Sequence, residues 1–182
     1  MEKPTYTKSL RDFRKYHKYF GIALSVFLFI SALTGLLLGW KKDVDLLQPP
    51  TQTGASADLS RWKPLSELAE TARAALYAQH PDQTGNAIDR IDARPGKGII
   101  KVLFEKGWWE VQLDSSTGEV LSVARRHSDW IEALHDGSII SDFFKLIAMN
   151  ALGLGLLLMV LTGLWLWYGP VKLRRMKRRR GG

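Results

Sequence analysis

Two long stretches of this chain carry no charge at all. One runs from Tyr19 to Trp40 and the other from Leu146 to Tyr168. Each exceeds the roughly 20 residues an α-helix needs to cross about 30 Å of hydrocarbon. Water cannot satisfy backbone groups there, so an isolated apolar run of that length must be helical. The sequence therefore predicts two membrane helices, and function has to be sought in them and in the hydrophilic segment between them.

Charge predicts their orientation. Residues 1–18 carry Lys3, Lys8, Arg11, Arg14, Lys15 and Lys18 against Glu2 and Asp12. Residues 169–182 carry Lys172, Arg174, Arg175, Lys177, Arg178, Arg179 and Arg180 and no acid. The remaining 13 basic and 16 acidic residues lie between, so the ends hold the excess that makes the chain +8. Basic ends stay cytoplasmic. Both termini are expected inside and residues 41–145 outside, which in a bacterium means the periplasm or the cell surface. The basic tail also suits a nucleic-acid partner, but topogenic charge attracted to anionic lipid is the reading taken here. No nucleic-acid partner is expected.

The first run is not expected to be a cleaved signal peptide. Such peptides have a shorter apolar core with a small-residue site soon after it. Here the core is 22 residues long and Lys41-Lys42-Asp43 follows. Ala55-Ser56-Ala57 lies too far downstream. The chain has no cysteine, which excludes disulfides, thiolate metal sites, cysteine-ligated iron–sulfur clusters and covalently attached c-type haem.

The expected organisation is a cytoplasmic N-terminus (1–18), a first membrane helix (19–40), a polar connector (41–62), an α+β domain (63–127), a juxtamembrane helix (128–143), a second membrane helix (144–168) and a cytoplasmic tail (169–182). In the domain, Leu65, Leu68, Ala69, Ala72, Ala75 and Leu76 recur at helical spacing. Strands follow at 87–94, 98–105, 108–113 and 119–125, separated by turn residues. Ile100, Val102 and Phe104 share one face, as do Trp109, Val111 and Leu113. One helix on a four-stranded antiparallel sheet results. Its roughly 60 residues lie near the lower limit for a self-sufficient core. Ser128 is the expected N-cap of the juxtamembrane helix and Gly137 its stop.

The two apolar runs share an echo. Leu33-Thr34-Gly35-Leu36 recurs as Leu161-Thr162-Gly163-Leu164. Because the spans are antiparallel, the echoes fall at opposite membrane faces. Ser31, Gly35 and Gly39 form one small-residue ridge, and Ala151, Gly155 and Gly163 another. Such ridges serve helix packing. The two helices are expected to pair with each other and with a second copy.

Three stretches carry a family resemblance. The first is Arg14-Lys15-Tyr16-His17-Lys18-Tyr19-Phe20-Gly21, leading into the helix that ends in Leu33-Thr34-Gly35-Leu36. The second is the strand–turn–strand segment from Val111 to Leu121, with Asp114-Ser115-Ser116-Thr117-Gly118-Glu119 at its turn. The third is Trp130-Ile131-Glu132-Ala133-Leu134-His135-Asp136-Gly137, before the helix that ends Thr162-Gly163-Leu164-Trp165-Leu166-Trp167. In this order they resemble the PepSY-associated transmembrane helix family. The resemblance implies an inner-membrane protein with a periplasmic PepSY domain, related to reductases that bind b-type haem through membrane histidines and reduce ferric-siderophore iron. Those reductases have at least four membrane helices and this chain two, so a second copy or another membrane protein would have to complete a haem site.

Four histidines are candidates. His80 and His127 read as surface residues. His17 precedes the first apolar run and His135 the second, at opposite faces. Both read either as interfacial polar residues or as haem ligands, since neutral imidazole is the usual axial ligand of b-type haem. Separated by about the hydrocarbon thickness, they cannot grip one iron. A two-fold dimer would bring each to its own copy and form a four-helix bundle with cofactors between the helices.

Other candidates are weaker. Lys145 is expected to snorkel and Asn150 to bond across to the first helix. Trp108 lies on the face opposite Trp109, so one of the pair is exposed, as a partner or flavin contact or as part of a sheet edge on the membrane surface. Asp114 and Glu119 flank a turn. No nucleophile–base set, phosphate-binding loop or acid–base carboxylate pair is present, so no catalytic residue is assigned. Two readings compete. One is a dimeric b-haem oxidoreductase component delivering electrons to a periplasmic acceptor, either ferric-siderophore iron or a flavoprotein. The other is a non-enzymatic, membrane-tethered PepSY module that binds or regulates a periplasmic protease or another envelope protein.

Overall fold

The computed structural model describes residues 3–180, with side chains from Lys8 to Lys172 and at Arg174, Arg175 and Arg178. Glu2 and the side chains of Lys3, Lys177, Arg179 and Arg180, all counted above in the terminal charge, lie outside the described residues. The element order is α1 (Lys3–Gly39), α2 (Leu65–Gln79), β1 (Ile88–Arg94), β2 (Ile99–Phe104), β3 (Trp109–Asp114), β4 (Val120–Arg125), α3 (His127–Asp136) and α4 (Asp142–Arg180). The fold class is the expected one: two long apolar helices flank one helix on a four-stranded antiparallel sheet. The apolar helices are long enough to span a bilayer over Lys8–Gly39 and Asp142–Lys172. The chain is a two-pass membrane protein. α1 starts within the basic N-terminal segment, and α4 runs on through Pro170 into the basic tail.

The chain divides into a helical unit, Met1–Gly35 with Ala133–Gly182, and an α+β unit, Leu36–Glu132. In the helical unit, α1 and α4 form an antiparallel seam. Leu10 packs on Gly169, Phe13 on Trp165 with ring centres 6.1 Å apart, Met159 on Gly21 and Leu24 on Gly155. The α1 positions Leu10, Phe13, Gly21 and Leu24 step by three, eight and three residues, which keeps them near one helix face. Four glycine or aromatic contacts thus receive a side chain from the opposite helix, much as knobs enter holes.

In the α+β unit the sheet order is β1-β2-β3-β4, every neighbour antiparallel. Register places Ile91 opposite Val102, Val102 opposite Val111 and Val111 opposite Val123, one apolar row across all four strands. Ile100, Val102, Phe104, Trp109, Val111 and Leu113 form the core with Leu68, Ala72 and Leu76 of α2. Leu65, on the same helical pattern, is 51% exposed, so the buried stripe is narrower than the sequence suggests.

The second sheet face is closed off from water as well. Lys101, Glu110, Gln112 and Asp114 are all buried. The connector crosses this face as an ordered strap. Gln52 N–H donates to Gln112 Oε1 at 2.9 Å, Gln112 Nε2 to the Pro50 carbonyl at 3.0 Å, and Ala55 N–H to Asp114 Oδ2 at 2.5 Å. Gly98, at φ +64°, lets the strap approach, because a Cβ there would lie 2.2 Å from the Ser56 carbonyl oxygen. Covering both sheet faces is how so small a domain acquires enough buried area.

Three local expectations are corrected. α3 begins at His127, so Ser128 lies inside its first turn and gives its N–H to the Leu47 carbonyl instead of capping the helix. Asn150 bonds the Leu146 carbonyl of its own helix at 2.7 Å, not the other helix. His80 is no free surface residue, since its ring stacks on Trp109 at 4.0 Å. Gly137, at φ +82°, does end α3.

Candidate functional site

Two histidine sites lie in the helical unit. At one, His17 Nδ1 of α1 is 2.7 Å from Thr162 Oγ1 of α4. At the other, His135 Nδ1 of α3 is 2.9 Å from Thr34 Oγ1 of α1. The sites share a plan. Each histidine stands just before one charge-free run and bonds the threonine near the end of the other. In both, the glycine after the threonine lies under the ring: an added Cβ would be 3.5 Å from Cε1 of His135 at Gly35, and 3.5 Å from Cε1 of His17 at Gly163. The repeated Leu-Thr-Gly-Leu segment is thus the seat of a histidine, twice.

Local structure fixes each ring. His17 belongs to the α1 face that meets α4, with Phe13 one turn before it against Trp165. His135 is in the last turn of α3, and its neighbour Asp136 pairs with Lys145 Nζ at 2.5 Å and accepts the Ser138 N–H at 2.9 Å. Burial of Asp136 disfavours its charge, yet the Lys145 ammonium and Ser138 together hold it below the ordinary carboxylate range. That pair ties the end of α3 to the start of α4 across the Gly137 turn.

Seventeen residues of one helix separate His17 from Thr34, the partner of His135. At 1.5 Å per residue the two sites lie about 25 Å apart along α1. Among the described residues, no group of three or more His, Asp or Glu converges to hold a metal ion. Each histidine site therefore offers one imidazole from this chain. Neither Nε2 has a hydrogen-bond partner among the described residues. An imidazole engaged at Nδ1 and open at Nε2 could serve as one haem ligand, so each site could contribute a single ligand from this chain.

The packing residues expected from the sequence are placed as follows. Gly35 and Gly163 underlie the histidines, and Gly155 receives Leu24. Gly39 faces open space, Ala151 is exposed and Ser31 is half-buried. The sequence reading missed Gly21 and Gly169, which receive Met159 and Leu10. It also missed the threonines as partners, although both elements of the signal, the echo and the histidines, were visible.

The α+β unit carries a buried ionic chain. Glu110, 1% exposed, accepts from Lys101 Nζ at 3.2 Å, Arg126 Nη1 at 3.0 Å and Gln112 Nε2 at 2.8 Å. Arg126 also holds Asp129 at 3.0 Å. Burial works against the charge of Asp114, but the N–H groups of Ala55, Ser116 and Thr117 and the Ser116 hydroxyl hold the carboxyl far below its ordinary range. Trp108 is 40% exposed, the only non-glycine residue with positive φ among the described residues, and lines a cleft with Arg90 and Asp129. Trp109 is buried beneath Arg125, 4.7 Å from its ring.

A family model described as PepSY-associated TM region matches residues 14–182. No curated protein matches the chain.

Proposed function

This chain belongs to the PepSY-associated TM region family, and from that premise we propose that it is a b-haem electron-transfer component of a bacterial inner membrane. It passes electrons outward to a periplasmic acceptor, ferric-siderophore iron or a flavoprotein. Both termini are cytoplasmic and the α+β unit is periplasmic, as the basic ends require. The observation that carries the reading is the matched pair of sites, each a histidine whose Nδ1 is hydrogen-bonded to a threonine Oγ1 of the other apolar helix.

His17 would hold haem towards the cytoplasmic side and His135 towards the periplasmic side. Haem supplies reversible one-electron storage at its iron. The chain itself supplies one imidazole per site, apolar helix walls that exclude water, and a fixed separation along α1. Each site offers one imidazole, so a second ligand would come from the same histidine of a second copy in a two-fold dimer, or from another membrane protein. The outer strands β1 and β4 have unpaired edges within the sheet, which favours a second reading in which the unit captures an envelope protein by strand addition.

The test is the absorption spectrum of full-length protein, purified in detergent after expression with haem precursor, before and after dithionite. Wild type is compared with His17→Ala and His135→Ala. A Soret band with a sharp reduced α-band, diminished by each substitution, is expected. Folded, membrane-inserted wild type without a Soret band overturns the reading and turns attention to partners of the α+β unit.

A further inference from the structure

We infer that Thr34 and Thr162 are positioning residues that set the tautomer of His135 and His17, so that Nε2 keeps the lone pair. The inference rests on the haem reading for its purpose, but its chemistry lies wholly within this chain.

A hydroxyl has one proton to give and two lone pairs to receive with. Thr34 Oγ1 is 2.7 Å from the Ile30 carbonyl, and Thr162 Oγ1 is 2.6 Å from the Leu158 carbonyl. A carbonyl oxygen donates nothing, so each hydroxyl proton lies on that line. Turned towards the imidazole instead, it would leave two oxygens facing each other, lone pair to lone pair, at these distances. The threonine oxygen is therefore an acceptor for its histidine. Nδ1 must carry the hydrogen, and in the neutral ring Nε2 then carries the lone pair. The bond back to the carbonyl one turn earlier is what makes threonine suitable here: its direction is set by its own helix.

Glycine supplies the second element. With Gly35 beneath His135 and Gly163 beneath His17, the ring edge lies against helix backbone. A methyl group would rest at 3.5 Å in ordinary contact, but any larger side chain would displace the ring. The Thr-Gly pair thus sets both the hydrogen bond and the plane of approach. Its occurrence at two sites about 25 Å apart, with the histidines supplied by dissimilar stretches of chain, argues against a chance contact. A histidine used only to pack helices would need no particular tautomer.

The test is ¹⁵N NMR of histidine-labelled, full-length apo-protein in detergent at pH 8, with signals assigned through His17→Ala and His135→Ala. His17 and His135 are expected as Nδ1–H tautomers. Thr34→Val should change the His135 signals alone and Thr162→Val those of His17 alone. Each untouched site is the internal control for folding, and Thr→Ser should restore the wild-type pattern. In haem titrations the valine variants should bind about 10–100-fold more weakly, the usual effect of removing a ligand's hydrogen-bond partner, and the serine variants nearly as wild type. Nε2–H tautomers in wild type, or valine variants with unchanged tautomers, overturn the inference. If wild type takes up no haem while the tautomers follow the threonines, the haem reading fails and the tautomer control stands.

Discussion

His17 and Thr162 meet at 2.7 Å although 145 residues separate them in the chain. The contact joins α1 to α4 about two turns inside the Leu10–Gly169 contact, and the equivalent contact joins His135 of α3 to Thr34 of α1. Each charge-free run is therefore clasped near its end by a histidine that lies just before the other run.

Size at the glycine seats should matter in steps. Gly163→Ala places a methyl at ordinary contact distance from His17 and should leave the hydrogen bond intact. Gly163→Leu cannot fit there without moving the ring. Its histidine ¹⁵N spectrum should lose the Nδ1–H signature at His17 while His135 is unchanged. Equal effects of alanine and leucine would contradict the packing.

The buried ionic chain predicts a large single-residue effect. Glu110→Ala leaves Lys101, 1% exposed, without its carboxylate, and breaking a buried pair from one side costs about 3–5 kcal/mol. Replacing both Lys101 and Glu110 by Met should recover much of that loss. Urea unfolding of the full chain in detergent, followed by tryptophan fluorescence, measures both.

The strap depends on Gly98. Alanine there meets the Ser56 carbonyl oxygen at 2.2 Å and is strained at φ +64°, for an expected loss of about 2–5 kcal/mol. Gly85, at φ +84° with open space around it, is the control. Its alanine variant should lose only the conformational part, about 1–2 kcal/mol. Limited proteolysis should cut residues 48–58 faster in Gly98→Ala than in Gly85→Ala.

Asp114 gives the α+β unit an acid limit. Unfolded, it titrates near the ordinary aspartate value of about 3.9, whereas its hydrogen bonds hold the folded value well below. Its stabilisation is therefore complete above roughly pH 5 and is lost as the pH falls through 4 towards the folded value. Asp114→Asn should lower Tm at pH 7, by about 1.5–3 kcal/mol in stability, and the gap should narrow steadily towards pH 3.

Topology can be read with single cysteines, since the chain has none. Ala78→Cys, on the exposed side of α2, should react with an impermeant maleimide in intact spheroplasts. Arg178→Cys should react only after permeabilisation. The reverse pattern would place the α+β unit in the cytoplasm.

Much of this architecture is legible in the chain because it is local. Two charge-free runs can only be membrane helices, since nothing else satisfies the backbone in lipid. The alternation around Val102 and Val111, with glycine turns between, specifies strands whose observed ends lie within a residue of those expected. Family membership also follows from motifs in sequence order. What the sequence did not disclose depends on pairing between distant segments. Lys101, Glu110 and Gln112 alternate like an exposed strand face, and only the fold shows a strap of connector covering them. The Leu-Thr-Gly-Leu echo and the histidines are equally plain in the sequence, yet no local rule joins them. A hydrogen bond between residues 145 apart exists only once antiparallel packing has set the helix register, and that register comes from side chains such as Leu10 and Leu24 entering glycine gaps on the other helix.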